Sequence, residues 1–348
     1  MNFVIMAGGT GGHIFPGISL AKVLQKRGHT IYWLGAKGGM EERIVRQYGI
    51  RLKLLTVKPM RGKGIMRKLT TPFSLFKTMW QARRFMVKEH IDVAVSMGGY
   101  VAAPGGLATR FCGTRLVVHE QNSVFGMTNR LLAKHADKVL TGFDLNGLYQ
   151  SQWVGNPVRA SISRTAKKVD SKQPFNVLIM GGSLGAQSLN RLLPKWLTKY
   201  LHEDVIRIWH QCGKGNAVRT KEAYGDAKDN VRVDDFIHNM SKAYSWADVC
   251  IARAGALTLA EITAMHIPAL LVPFPQAVDD HQTRNAMYLV NHEAALIWSE
   301  KDDEQQLLAR IEQLFDAQNQ AAMRDALKAI YKPHVANTMA DICEEVGA

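Results

Sequence analysis

Acidic residues are absent from one long stretch of this chain. Between Glu42 and Glu89 there is none, yet 13 of the 44 lysines and arginines fall there. Over the 348 residues Lys and Arg outnumber Asp and Glu by 44 to 30, a net charge of +14. That excess points to an anionic partner (nucleic acid, a phosphorylated ligand or an anionic bilayer) or to a generally basic enzyme. Cysteine is scarce too: Cys112, Cys212, Cys250 and Cys343 are far apart and form no CxxC pair. They are expected to be reduced, mostly buried thiols in a reducing compartment. No run approaches about 18 uninterrupted apolar residues, so no membrane span is expected. The N-terminus opens directly on an apolar strand, with no basic region and cleavage site, so no signal peptide is expected.

What is present is alternation. Short apolar runs at Phe3–Met6, Thr30–Leu34, Leu52–Val57, Val93–Met97, Leu116–His119 and Lys138–Leu140 are separated by glycine, polar residues or amphipathic segments. Residues 160–174 carry no apolar period and read as a linker. The pattern then restarts with Asn176–Met180, Ile206–His210, Val231–Val233, Val249–Ala252, Ala269–Val272 and Ala295–Trp298, and closes on a helix near Asn337–Val346. Strands alternating with helices give parallel sheets. The fold expected is α/β: two Rossmann-like parallel-sheet domains facing across a cleft, with ligands at the carboxyl ends of the strands.

Each half opens with a glycine-rich turn. In Gly8-Gly9-Thr10-Gly11-Gly12-His13 the spacing departs from GxGxxG, and no Lys-Ser/Thr follows to make a Walker A loop. Glycines let backbone amides approach a ligand, and a helix entrance favours an anion; the plainer reading is a tight structural turn. Gly181-Gly182-Ser183-Leu184-Gly185-Ala186 fits the GxSxG pattern of a hydrolase nucleophile. The first half repeats the turn with Thr10 and no serine, which favours a binding loop used twice. A third turn, Arg253–Gly255, opens a helix at Ala256, Leu257 and Thr258 whose amides can hold a diphosphate. Glu261, one to two turns in, can reach ribose hydroxyls or simply favour its own helix dipole.

His13, at the mouth of a first helix expected to start near Pro16, is either a general base on an acceptor hydroxyl or a positioning side chain. His119-Glu120-Gln121-Asn122 has no second histidine for an HExxH zinc site and reads as a cleft wall or a hydrogen-bond cluster. His281 and Gln282 can bond sugar hydroxyls, and Arg159 sits at the domain junction. The chain has no DxD triplet; helix dipoles and arginine, and no metal or other cofactor, are expected to stabilise a leaving diphosphate. In the acid-free stretch, Leu75, Met79, Ala82 and Met86 make one helical stripe expected to face the core. Phe73, Phe76 and Trp80 make a neighbouring one. Beside Lys68 and Lys77 it reads as a membrane-surface patch, as a nucleic-acid surface, or as an ordinary basic helix.

Taken in order, Gly8–His13, Arg61–Gly64, Met97–Tyr100, His119–Asn122, Val154–Arg159, Gly181–Ala186 and Ala256–Glu261 resemble the bacterial cell-wall transferases that add N-acetylglucosamine to the lipid-linked muramyl-pentapeptide precursor, converting lipid I to lipid II. The resemblance covers essentially the whole chain, with Ala254 where serine is expected and Leu184 where glutamine also occurs. It implies the GT-B fold, with an acceptor- and membrane-associating domain of residues 1–159 plus about 333–348 and a UDP-sugar domain of 160–332. It implies inverting transfer to the muramyl C4 hydroxyl, with UDP-N-acetylglucosamine contacts at Thr10, Gly11, Gly12, Asn122, Arg159, Ser183, Ile237, Ala256, Leu257, Thr258, Leu259, Ala260, Glu261 and Gln282. Ile237 would face uracil through its backbone, Glu261 the ribose, and Asn122 and Gln282 the sugar. The implied partners are undecaprenyl-linked muramyl-pentapeptide and an anionic membrane surface, with other cell-wall synthesis proteins and without nucleic acid. The implied place is peripheral, on the cytoplasmic face of the inner membrane.

Overall fold

The computed structural model describes residues 1–57, 65–162, 174–182 and 185–348; for 65–74, 160 and 278 it describes the backbone alone. The chain forms two compact units, Met1–Arg159 with Lys332–Ala348, and Ala160–Tyr331. The Arg61–Gly64 motif and most of the expected linker lie outside the described residues.

In chain order the first unit contains β1 (Asn2–Ala7), α1 (Gly11–Lys26), β2 (Thr30–Ala36), α2 (Met40–Arg46), β3 (Arg51–Leu55), α3 (Ile65–Lys88), β4 (Val93–Gly98), α4 (Ala102–Ala108), β5 (Arg115–Glu120), α5 (Met127–Leu132), β6 (Lys138–Thr141) and β7 (Gln152–Trp153). The second contains β8 (Phe175–Met180), α6 (Gln187–His202), β9 (Ile206–Gln211), α7 (Ala217–Glu222), β10 (Val231–Asp234), α8 (Met240–Trp246), β11 (Val249–Ala252), α9 (Ala256–Met265), β12 (Ala269–Leu271), α10 (His281–Asn291), β13 (Leu296–Ile297), α11 (Glu304–Phe315) and α12 (Ala317–Ile330). The last helix, α13 (Val335–Gly347), returns to the first unit.

The first sheet has the order β3-β2-β1-β4-β5-β6-β7 and the second β10-β9-β8-β11-β12-β13. All pairs are parallel; Phe3 stands opposite Ile31 on one side and Val93 on the other. Side chains alternate across each strand. In β1, Phe3, Ile5 and Ala7 join a core with α1 and α13, while Val4 and Met6 join one with α3 and α4. A sheet covered on both faces requires apolar runs, which is why the interior strands were readable. The edge pair Gln152–Trp153 carried no such run and was not anticipated.

Ionic contacts hold α13 in place. Arg27 donates to Asp341 at 2.7 Å and to Glu344 at 2.6 Å, and His29 Nε2 lies 2.6 Å from the second Glu344 oxygen. The expected start of α1 near Pro16 needs correction: the helix starts at Gly11. Pro16 lies inside the helix, past its first turn, and supplies no amide to the Gly12 carbonyl. Gly11, Gly12 and His13 are therefore the first helical turn. Among the described residues no helix is long and apolar enough to cross a membrane.

Candidate functional site

In both sheets the strand order reverses beside the first strand of the unit, between β1 and β4 and between β8 and β11. Loops leaving such a pair diverge to opposite faces and open a crevice at the strands' carboxyl ends. Both glycine-rich turns sit there.

In the first unit the loops after β1 and β4 touch backbone to backbone. Gly99 has φ +84, and a methyl group on it would overlap the Gly8 carbonyl. Thr10 caps α1 with extended backbone and no side-chain cap; its carbonyl accepts from the amides of His13 and Ile14, each at 3.2 Å. The amides of Gly11 and Gly12 then precede the hydrogen-bonded ladder, as in any helix entrance. His13 Nδ1 lies 3.2 Å from Thr10 Oγ1, and its ring edge packs over Gly98. The Arg159 guanidinium stacks 4.8 Å from the Phe15 ring centre, one turn beyond Gly11. Burial, and then the Glu41 charge, raise the Tyr100 phenol.

The polar run after β5 is a structural network with one open edge. Glu120 is buried. One oxygen accepts from the Asn122 amide (3.0 Å) and side chain (3.1 Å), the other from Gly126 N–H (3.1 Å) and Asn129 (2.9 Å). Asn129 in turn accepts from Ser96 at 2.9 Å. Half-buried Asn122 is thus held in a fixed orientation rather than hanging free. His119 is wholly buried, its Nε2 3.0 Å from the Gly155 carbonyl, and burial lowers its pKa to about 4.

In the second unit β11 delivers α9. Leu259 N–H bonds the Gly255 carbonyl at 3.0 Å, so the helix ladder begins there and the amides of Ala256, Leu257 and Thr258 precede it. This narrows the sequence expectation: Leu259 and Ala260 fall in the hydrogen-bonded part of the helix, and the Leu259 side chain is buried. Buried Asn285 fixes the entrance by donating to the Ala254 carbonyl at 3.2 Å. Arg253 is occupied elsewhere, paired with Glu300 at 2.6 Å and donating to the Val272 and Pro273 carbonyls. Glu261 is 2% exposed and accepts from the Tyr244 hydroxyl at 3.0 Å. The Ile237 side chain is buried, which leaves its backbone as the part able to face a ligand. Gln282 accepts from Phe274 N–H at 2.9 Å through its carbonyl, leaving its NH2 end as the donor.

Ser183 and Leu184 lie outside the described residues. The flanking turn is described: Gly185 has φ +78 and packs against the Cys212 carbonyl so closely that a methyl would overlap it. That carbonyl also accepts from Asn190 at 2.9 Å, and Asn190 Oδ1 lies 3.1 Å from buried His210, whose other nitrogen meets the Tyr224 hydroxyl at 2.9 Å. Desolvation lowers the His210 pKa to about 3.

On α3, Ala82 and Met86 are buried and Leu75 and Met79 partly so, as the spacing predicts. Phe76 is 59% exposed and Trp80 54%. The side chains of Phe73 and Lys68 lie outside the described residues; Lys77 is exposed. The structure adds a residue that the sequence hid. Phe111, also exposed, joins Phe76, Met79, Trp80 and Arg83 around a hollow of about 310 Å³. Arg83 bridges it, 4.9 Å from the Trp80 ring centre and donating to the Phe111 carbonyl at 2.7 Å.

Comparison with known proteins gives concordant results. The glycosyltransferase family 28 N-terminal domain model matches residues 3–141, and the C-terminal domain model of that family matches 176–344. A Neisseria gonorrhoeae protein named UDP-N-acetylglucosamine–N-acetylmuramyl-(pentapeptide) pyrophosphoryl-undecaprenol N-acetylglucosamine transferase is 42% identical over 97% of both chains. A Xanthomonas campestris protein of the same name is 43% identical over 97% of this chain and 80% of its own. The crystal structure of Acinetobacter baumannii MurG superposes with a TM-score of 0.85 at 36% identity, covering 99% of each chain. The glycotransferase of kitacinnamycin, at 17% identity and TM-score 0.71, shares the fold.

Proposed function

The chain belongs to glycosyltransferase family 28, and from that premise we propose that it moves N-acetylglucosamine from UDP-N-acetylglucosamine to the muramyl C4 hydroxyl of undecaprenyl-pyrophosphoryl-muramyl-pentapeptide, in peptidoglycan synthesis. It is a hexosyltransferase of GT-B fold. The observation that carries the reading is the α9 entrance: three amides ahead of the helix ladder, with the Glu261 carboxylate in the following turns on the same element. Such an entrance suits a diphosphate, and the carboxylate suits paired ribose hydroxyls.

The reaction is written as a single displacement with inversion. The C4 oxygen forms a bond to the anomeric carbon while the bond to the UDP oxygen breaks, and UDP keeps that electron pair. Negative charge grows on the diphosphate, where the amides of Ala256, Leu257 and Thr258 stabilise it. The Ile237 backbone is assigned to uracil and the Gln282 amide to the sugar; Ser183 is assigned to the donor as well. In the first unit, Thr10, Gly11, Gly12, Asn122 and Arg159 are assigned to the donor. His13 is assigned as the base: in the tautomer whose Nδ1–H points to Thr10 Oγ1, Nε2 is the nitrogen that takes the proton of the C4 hydroxyl.

The aromatic hollow of the first unit fits attachment to the inner face of an anionic membrane, where the polyprenyl acceptor lies. Exposed Phe76, Trp80 and Phe111 supply apolar area, and Lys77, Arg83 and Arg84 supply positive charge. Measuring UDP release from UDP-N-acetylglucosamine with and without the lipid-linked muramyl-pentapeptide, in buffer containing a chelator, tests the whole reading. Release dependent on that acceptor and indifferent to the chelator is expected. Equal release with simpler acceptors would reassign the substrate.

A further inference from the structure

Among the described residues of the first unit the Glu41 carboxylate is the least exposed charged group, with relative exposure of 0%. It lies in the first turn of α2. Its two oxygens accept backbone amides from two separate segments: Oε2 from Gly9 N–H at 3.3 Å, in the turn after β1, and Oε1 from Ala36 N–H at 2.8 Å, at the end of β2.

The surroundings are shaped to this side chain. A methyl built on Gly8 or on Gly39 would lie 2.5 Å from its carboxylate oxygen, and one on Gly35 would lie 2.8 Å from its Cγ. Three glycines, in the turn after β1, at the end of β2 and just before α2, therefore leave the space that Glu41 fills. Buried carboxylates are costly unless hydrogen-bonded, so placing one here only to pack would be wasteful. Both its amide partners are backbone groups, and one belongs to the turn that carries Thr10 to His13.

We infer that Glu41 is a positioning residue for the transfer reaction: it locks Gly9 in its left-handed conformation (φ +91) and so sets the angle at which the Gly11 and Gly12 amides and the His13 imidazole meet the reacting groups. The inference rests on the proposed transferase reading and deepens it. Glu41 touches no substrate; it acts through the loop. By taking up the Gly9 amide it also selects which amides of the turn remain for an anion.

The test compares wild type, Glu41→Gln and Glu41→Asp of the full chain in acceptor-dependent UDP release. Glu41→Gln keeps the size and replaces one acceptor by an NH2 group that must face a backbone N–H. A loop displaced by even about 1 Å lowers turnover by about 10- to 100-fold. The expected result is that fall in kcat for Glu41→Gln and a partial recovery in Glu41→Asp. The melting temperature should stay near wild type and UDP affinity should change far less than kcat, because the uracil, the ribose and the α9 amides that hold the diphosphate are assigned to the second unit. Should Glu41→Gln fold poorly, Gly8→Ala intrudes on the same carboxylate and is expected to give the same kcat loss with UDP binding retained. Wild-type kcat in folded Glu41→Gln overturns the inference. So does a parallel loss of kcat, UDP binding and melting temperature in both variants, which marks a general structural role. Absence of acceptor-dependent release in the wild type would instead overturn the function from which the inference starts.

Discussion

The imidazole Nε2 of His119 and the carbonyl oxygen of Gly155 face each other at 3.0 Å in a fully buried position. This contact ties the end of β5 to the segment that leads to Arg159. The ring must donate through Nε2, so Nδ1 accepts, and Gln121 Nε2 lies 3.0 Å from it. Neutral imidazole satisfies both partners; a second ring proton would point at the Gln121 amide.

Acid should therefore loosen both units. Burial lowers the pKa of His119 to about 4 and that of His210 to about 3, against the ordinary 6.5. The unfolded chain takes up these protons first, so stability is full above about pH 6.5 and falls as the pH drops toward 4, by an amount on the order of a few kcal/mol. Melting temperature followed from pH 7.5 to 4.5 should decline, and less steeply in His119→Gln. A flat profile in the wild type would contradict the burial argument.

Gly185→Ala should damage the donor side. The new methyl meets the Cys212 carbonyl at a residue with φ +78. Backbone strain of this kind costs about 1–3 kcal/mol. Reduced thermal stability together with weaker UDP binding is the expected pair; weaker stability with unchanged UDP affinity would detach this turn from the nucleotide.

His13→Ala and Glu261→Ala should fail in different ways. Loss of the imidazole removes the proton acceptor and is expected to lower kcat by about 10²- to 10⁴-fold, with UDP affinity kept. Loss of the carboxylate at 261 is expected to act chiefly on donor KM and UDP affinity. Steady-state kinetics and calorimetry on both variants check this. Normal turnover in His13→Ala would remove that residue from the chemistry.

Trp80→Ser and Phe111→Ser should weaken attachment to vesicles containing anionic lipid while leaving the melting temperature unchanged, because both rings are already exposed. Each basic side chain near such a surface adds about 1 kcal/mol. Added salt should also release the wild type, since these charges are screened. Cosedimentation that ignores both the substitutions and the salt would place the membrane contact elsewhere.

Much of this molecule was legible before the structure. Interior strands of a doubly covered sheet must be apolar, so Val93–Gly98 and Val249–Ala252 stand out, and glycine turns mark where a strand hands over to a helix. The helical spacing of Ala82 and Met86 likewise named the buried stripe of α3 and left Phe76 and Trp80 outside. Boundaries and partners were less readable. The first helix began at Gly11 rather than near Pro16, because a helix entrance needs only backbone amides that glycine supplies without a pattern.

Sequence by itself determined the alternation, the two glycine-led halves and the ordered motifs, because each depends on neighbours a few residues apart. Tertiary structure alone decided which distant groups meet. No local pattern marks Glu41 as buried; the fold closes Gly8, Gly35 and Gly39 around it. Phe111 became part of the aromatic hollow only when the chain after α4 came beside α3. Burial and hydrogen bonding are set by side chains far apart along the chain, and no local spacing encodes them.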